Sequence, residues 1–290
     1  SCYGRVLDVW GTLVLADKTS AAGAPLNADT YAPDPPSSAR LAEYVDGIEA
    51  DACADPEGSR TERLNHFRSR ARESVLDNVE SFAAEGGGVA TLTLPTGMGK
   101  TLTGLSAAFE LRDRLGGERV VYALPFTSVI DQVVDELEGI YRTDAGERLL
   151  TAHHHLAETA IRPRSTDPEG GDLSDDTAAM LAESWRSGAT VSTFVQLFES
   201  LAGPRNRQCM KIPALRNSVV VLDEPQSLPL GWWKLVPRLV RLLTEQYGAT
   251  VVAMTATQPQ LFPSATELVG DPDAYFEAGT RVTYDLDASA

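Results

Sequence analysis

The sequence predicts an α/β fold, a mostly parallel sheet with helices on both faces, preceded by a helical segment and a linker. Three observations carry this. Short β-rich runs alternate with helical patterns through the later two-thirds of the chain, the order of repeated βαβ units. The run Val219-Val220-Val221-Leu222 is continuously apolar, as a strand covered on both faces must be. The 290 residues, 43% hydrophobic, suffice for one large domain with extensions or two modest ones.

Taken in order, residues 3–22 read as a helix with Val6, Leu7, Trp10, Leu13 and Val14 on one side. Residues 23–58 are rich in Pro, Ala, Gly and Asp, including Pro33-Asp34-Pro35-Pro36, and read as a linker with one short helix near Leu41–Ile48. Thr61 is the expected cap of a helix running to about Ala84, which Gly86-Gly87-Gly88 ends. Strands are then expected at Val89–Leu94, Arg119–Leu124, Leu149–Ala152, Ala189–Thr193, Ser218–Leu222 and Ala249–Met254. Helices are expected near Thr101–Arg114, Ser128–Tyr141, Thr177–Ser187, Phe194–Ala202 and Trp232–Gln246. Ser165–Asp176, acidic and Gly-rich, reads as an exposed loop. No internal repeat is found.

Composition narrows the setting. No apolar run approaches a membrane span, so no membrane partner is expected. Cys2, Cys53 and Cys209 are odd in number and widely spaced, which reads as free thiols in a reducing cytoplasm. There are 41 acids against 25 bases, a formal charge of −16, and of the bases only Lys18, Lys100, Lys211 and Lys234 are lysines. That balance is either ordinary acidic solubility or the signature of a salt-loving source. In high salt, counterion release drives nucleic-acid binding only weakly, so affinity there has to come from hydrogen bonds and stacking. The chain opens on Ser1 in the middle of a helical pattern, so a fragment of a longer protein is expected.

The strongest chemical signal is Leu94-Pro95-Thr96-Gly97-Met98-Gly99-Lys100-Thr101, placed after a strand and before a helix. A phosphate-binding loop requires that context. Gly97 and Gly99 let the backbone turn its N–H groups toward phosphate oxygens. Lys100 would reach the β- and γ-phosphates of ATP, and the Thr101 hydroxyl would ligate Mg²⁺. The general pattern wants glycine where this chain has Leu94.

Downstream, Asp223-Glu224-Pro225-Gln226 follows an apolar strand. Strand C-termini in such sheets face the ligand crevice. Asp223 would hold Mg²⁺ opposite Thr101, and Glu224 would polarise the water attacking the γ-phosphate. Met254-Thr255-Ala256-Thr257 closes the next apolar strand. Its hydroxyls, Thr255 and Thr257, would link the nucleotide site to a nucleic-acid track, with Gln226 as their natural partner.

With Leu124-Pro125-Phe126-Thr127-Ser128 and Ser192-Thr193-Phe194-Val195-Gln196 between them, these elements resemble motifs I, Ia, Ib, II and III of superfamily 2 helicases. More narrowly, the stretches at 125–128, 193–196, 223–226 and 255–259 are similar to those of the CRISPR-associated helicase–nuclease of type I interference systems. The resemblance covers about residues 60–265 and implies a RecA-like P-loop domain. Leu15-Ala16-Asp17-Lys18 is similar to the last helix of the HD-type nuclease domain preceding the motor in that family.

The implied division is an HD-type helix at 1–22, a linker at 23–58, a first RecA-like domain at 59–270 and a tail at 271–290 leading toward a second RecA-like domain. The resemblance implies ATP-dependent, 3′-to-5′ translocation on single-stranded DNA, coupled in the intact protein to DNA degradation in antiviral defence. An RNA-guided multisubunit surveillance complex would be the recruiting partner. Thr127, Ser128, Thr193 and Gln196 would contact the DNA backbone. A divalent metal for the nuclease belongs only to the intact protein, since Asp17 alone cannot build a metal site. No glutamine precedes Gln132, so an upstream adenine-reading glutamine is absent.

Other features are read more plainly. His153-His154-His155 cannot converge on one ion, because neighbouring strand residues alternate faces. Trp232-Trp233 suits packing on a helix better than base stacking. Arg205, Arg207, Lys211 and Arg216 suit phosphate contact or solvated loop charge equally. Rival readings are another superfamily 2 DNA or RNA helicase, a non-motor nucleotide-binding module, and an inactive fragment. The chain alone is expected to turn over ATP poorly.

Overall fold

A computed structural model of the chain describes residues 1–21, 37–141, 150–153, 180, 183–203, 205–257 and 261–279. Among these, seven strands form one sheet: β1 (Val89–Thr93), β2 (Val120–Leu124), β3 (Leu150–His153), β4 (Ala189–Thr193), β5 (Val219–Asp223), β6 (Thr250–Thr255) and β7 (Thr266–Glu267). Their order is β3-β4-β2-β5-β6-β1-β7, and every pairing is parallel. The described helices are α1 (Cys2–Ala21), α2 (Ser38–Asp51), α3 (Arg60–Ala84), α4 (Lys100–Leu115), α5 (Ile130–Tyr141), α6 (Phe194–Ala202), α7 (Asn206–Cys209), α8 (Val236–Tyr247) and α9 (Pro272–Gly279). This is the α/β architecture that the alternation of elements predicts, in the RecA-like form that the resemblance implies.

The sheet is buried on both faces. Along β2, Val120, Tyr122 and Leu124 join a core shared with α2–α5 and α9, while Val121 and Ala123 join a second core shared with α1, α6 and α8. Strands of this kind are mostly apolar, so β2 and β5 show no periodicity of two, whereas β4 buries Thr190, Ser192 and Thr193 as well. The smallest strand, β7, escapes sequence reading because it is only Thr266–Glu267. Its carboxylate nevertheless binds β1, the strand that leads into the glycine turn at 97–99. Glu267 accepts from the Thr91 and Thr93 hydroxyls at 2.9 and 2.6 Å, and from the Thr93 and Val269 N–H groups at 3.1 and 2.9 Å.

Several local expectations change. The cap of α3 is Ser59, not Thr61: Ser59 and Glu62 exchange side-chain-to-backbone bonds in a capping box. The short helix expected within the linker runs from Ser38 to Asp51, and Leu41 and Val45 enter the core. On α1 the buried side is Gly4, Leu7, Gly11 and Val14, whereas Val6, Trp10 and Leu13 are exposed. Glycine decides this: a Cβ at Gly11 would stand 2.4 Å from the Cys209 carbonyl oxygen, so the helix docks on its smallest residues. Trp232 and Trp233 precede α8, which starts at Val236 with Pro237 in its first turn. Both are packing residues, Trp232 edge-on to Phe198 at 6.2 Å and Trp233 donating to the Leu228 carbonyl at 3.0 Å. The helix expected at Thr177–Ser187, the loop at Ser165–Asp176 and His154-His155 lie largely or wholly outside the described residues.

Candidate nucleotide site

Parallel pairing sends the C-terminal ends of β1, β5 and β6 to one edge of the sheet, with β6 between the other two. The residues singled out in the sequence gather there. After β1 the loop turns through Gly97 at φ +92° and Gly99 at φ +72°, conformations that a side chain disfavours. α4 begins at Lys100. Pro95 is half-buried, Thr96 and Gly97 are exposed, and the Met98 side chain lies wholly in the core. Met98 therefore offers the loop only its backbone.

Lys100 spans the gap to β5. Its Nζ stands 3.8 Å from Asp223 Oδ1 and forms a close ion pair with Glu224 Oε1. Burial lowers the Lys100 pKa, opposed by the Asp223 charge. Burial likewise raises the Asp223 carboxyl, opposed by Lys100 and by a hydrogen bond from Tyr122. The Tyr122 hydroxyl, deep in the core, donates to Asp223 Oδ2 at 3.0 Å and also interacts with the Thr101 side chain. Tyr122 thus joins the two residues assigned to magnesium, a role its apolar surroundings in β2 hide from sequence reading.

Asp223 Oδ1 is buried and has no hydrogen-bond partner. A carboxylate oxygen in that state, beside a hydroxyl and with two acids facing one lysine, fits a hard cation that takes oxygen ligands. Among the described residues no group of three or more His, Cys, Asp or Glu could hold a metal. Mg²⁺ uses one or two carboxylates and completes its shell with water and phosphate.

Glu224 adopts left-handed backbone at φ +57° and donates its N–H to the Met254 carbonyl at 2.8 Å. Its Oε2 accepts from the Gln226 amide and from the Ala256 N–H, the latter at 3.3 Å. Gln226 Oε1 accepts in turn from the Thr255 hydroxyl at 3.0 Å, and Thr255 and Thr257 hydroxyls lie 3.3 Å apart. Gln226 is the partner of Thr255 that the motif order anticipates.

On the other half of the edge, Thr127 and Ser128 lie in a 3₁₀ turn after β2, and Thr193 and Gln196 open α6 after β4. β2 and β4 pair directly, Leu124 against Thr193, so the two loops are neighbours. Ser128 is exposed and Thr127 and Gln196 are half-buried. Thr193 is buried, and its hydroxyl accepts the Gln196 N–H at 3.2 Å, capping the helix. The basic segment before β5 is largely spoken for: Arg207 pairs with Glu183, Arg216 with Asp8, and Lys211 is fully buried. One contributor went unrecognised in the sequence. Arg68 of α3 donates to the Gly97 carbonyl at 2.9 Å, and Asn65 one turn earlier accepts from it at 3.0 Å.

The family model described as type III restriction enzyme, res subunit, matches residues 64–260. The CRISPR-associated nuclease/helicase Cas3 of Haloferax volcanii is 39% identical over 328 aligned residues, covering 99% of this chain and 35% of that protein. The chain thus spans about a third of the length of that curated relative. T. fusca Cas3 with AMPPNP superposes with a TM-score of 0.52 at 21% identity, over 84% of this chain and 28% of its own. The ATP form gives 0.51 at 20% identity, over 86% and 27%. These structural likenesses show the fold alone. No described helix is long and apolar enough to cross a membrane. The acidic, lysine-poor composition fits a salt-loving source, as does a relative in Haloferax.

Proposed function

The chain belongs to the family described as type III restriction enzyme, res subunit, and from that premise we propose that it is the first RecA-like motor domain of an ATP-driven translocase on single-stranded DNA. The observation that carries the reading is the meeting of Lys100 with both Asp223 and Glu224 across the end of β6. A lysine after a glycine turn and two acids at the end of a nearby strand are the groups that phosphoryl transfer from a nucleotide uses.

In this reading the N–H groups of residues 96–101 face the phosphate oxygens. Lys100 exchanges the Glu224 carboxylate for the β- and γ-phosphates, which frees Glu224 Oε1 to orient the attacking water and take up its proton. Thr101 and Asp223 Oδ1 would hold Mg²⁺, which when bound neutralises charge gathering on the phosphate oxygens. Glu224 Oε2 keeps its bonds to Gln226 and Ala256, so a change of partner at Oε1 is felt through Gln226 at Thr255 and Thr257. Thr127, Ser128 and Gln196 lie on the same edge and would bind the DNA backbone, with Thr193 capping the helix that carries Gln196. Such donors do not need a basic surface, in keeping with a net charge of −16.

Translocation from 3′ to 5′, coupling to an HD-type nuclease with its own divalent metal, and recruitment by an RNA-guided surveillance complex belong to the longer protein that this reading implies. Domain limits near residues 22, 58 and 270 and a cytoplasmic setting are part of the same proposal, with α2 and α9 packing onto the core of the 59–270 unit from either side of it. The test has two stages. The 290-residue chain should bind a fluorescent ATP analogue in a Mg²⁺-dependent way, with little turnover, and D223N should remove the Mg²⁺ dependence. The longer protein's ATPase should respond more to single-stranded DNA than to RNA. Hydrolysis indifferent to any polynucleotide would favour a regulatory nucleotide-binding module instead.

A further inference from the structure

Lys211 is the one lysine of the basic segment, and it has no exposure at all. Its Nζ donates to Gln196 Oε1 at 2.6 Å and lies 5.2 Å from the centre of the Trp185 ring. No carboxylate is in ion-pair contact with it among the described residues. Holding a buried ammonium against an amide oxygen and an indole face is costly, and an apolar side chain of the same length would fold more cheaply. The arrangement therefore calls for a reason other than stability.

Hydrogen-bond chemistry supplies one. An ammonium only donates, so the group of Gln196 that faces Lys211 has to be the oxygen. The amide cannot flip, which leaves its Nε2 as a donor with no acceptor among the described residues. The Gln196 backbone N–H is already committed to Thr193 Oγ1. What remains on the half-exposed side of this helix end is a fixed N–H₂ donor. We propose that Lys211 is a positioning residue that acts from inside the core to aim the Gln196 amide nitrogen at a nucleic-acid phosphate. This deepens, and rests on, the reading of the 127–128 and 193–196 loops as the DNA track.

Protonation sharpens the distinction from a packing role. Burial and Arg207 push the Lys211 pKa down to about 8, with Glu183 and Glu199 opposing. Once neutral, the amine accepts as well as donates, and Gln196 is free to turn. DNA affinity then falls as pH rises through about 8. Fold stability moves the other way. A lysine held below its ordinary pKa leaves the unfolded chain binding more protons between about 8 and the ordinary lysine range, so stability rises across that window.

The probe is a fluorescein-labelled oligo-dT, with binding to the 290-residue chain followed by anisotropy at fixed high salt. K211M should weaken binding about five-fold, the value of one hydrogen bond, without lowering the melting temperature. The K211M/Q196A double variant should bind no worse than Q196A alone, and wild-type affinity should decline from about pH 7 to pH 9 while that of K211M stays flat. Q196E covers the case in which K211M does not fold: it keeps an oxygen for Lys211, removes the outward donor, and should lose binding with its fold intact. Full affinity in K211M or Q196E, or strictly additive losses in the double variant, overturns the proposal. A wild-type chain that binds no single strand sinks the DNA reading itself, and the inference with it.

Discussion

Tyr122→Phe isolates the physics of the site, because it removes one oxygen and almost no volume. The lost group donates to Asp223 Oδ2 at 3.0 Å inside the core, and Asp223 Oδ1 already has no hydrogen bond. The variant therefore leaves a largely buried carboxylate with no donor on either oxygen. A buried hydrogen bond to a charged group is worth about 1.5–3 kcal/mol, so the loss at neutral pH should be about 2 kcal/mol, or about 4–8 °C for a chain of this size. The pH dependence has a definite sign. Burial already raises the Asp223 pKa, and the Tyr122 bond is one of the effects holding it down. A raised carboxyl contributes stability that is full below the ordinary carboxylate range and is lost as pH rises through the folded value. Phenylalanine moves that folded value up further. Thermal melts followed by circular dichroism in high salt, at about pH 7 and again near pH 5, should thus show a deficit that shrinks in acid. An equal deficit at both values, or none at either, would refute the claim that Tyr122 bonds an ionised Asp223.

Four further outcomes test other parts of the structure. K100M removes the charge-assisted contacts assigned to the phosphates, and fluorescent nucleotide binding should fall about 10- to 100-fold. E267A withdraws the acceptor for Thr91, Thr93 and Val269; urea unfolding should report a loss of about 2–3 kcal/mol, with nucleotide affinity falling as the loop loses its support. S59A breaks the capping box of α3 and should cost about 1 kcal/mol by the same assay. G11A drives a methyl group into the Cys209 carbonyl; α1 should lift, which limited proteolysis in the first 21 residues would detect, at a cost of about 1–3 kcal/mol.

What the sequence made legible was whatever is written in consecutive residues. Six strands are readable because each is a short β-rich run set between helical patterns, continuously apolar in β2 and most of β5, and the glycine turn because glycine, lysine and threonine must stand in fixed register. The acidic pair is readable for the same reason, and so is its link to Thr255, since Gln226 follows two residues later. Relations made only by the fold were silent. Nothing adjacent to Tyr122 marks it as the donor to a carboxylate 101 residues away. Glu267 lies in a strand too short to have a pattern, and Arg68 reaches the phosphate turn from an element that precedes the strand. Lys211 looked like surface charge because its burial depends on Trp185, from before β4, and Gln196, on α6, which only the fold brings to it. The Ser59 cap is a different case: Ser-x-x-Glu is a local signal, and Ser59 competes with Thr61 only two residues on.

The placement of β6 has a mechanical consequence. The glycine turn leaves β1 and the acids leave β5, and the strand ending in Met254 and Thr255 lies between, hydrogen-bonded to both along its length. With neighbouring strands about 4.8 Å apart, the two flanking loops sit about 10 Å from each other, a gap of the scale a triphosphate bridges. A shift of either strand end that draws those loops together or lets them part would be felt in the ladder on one side of β6 or the other. In the motor reading proposed above, Thr255 at the tip of that strand would register such a movement.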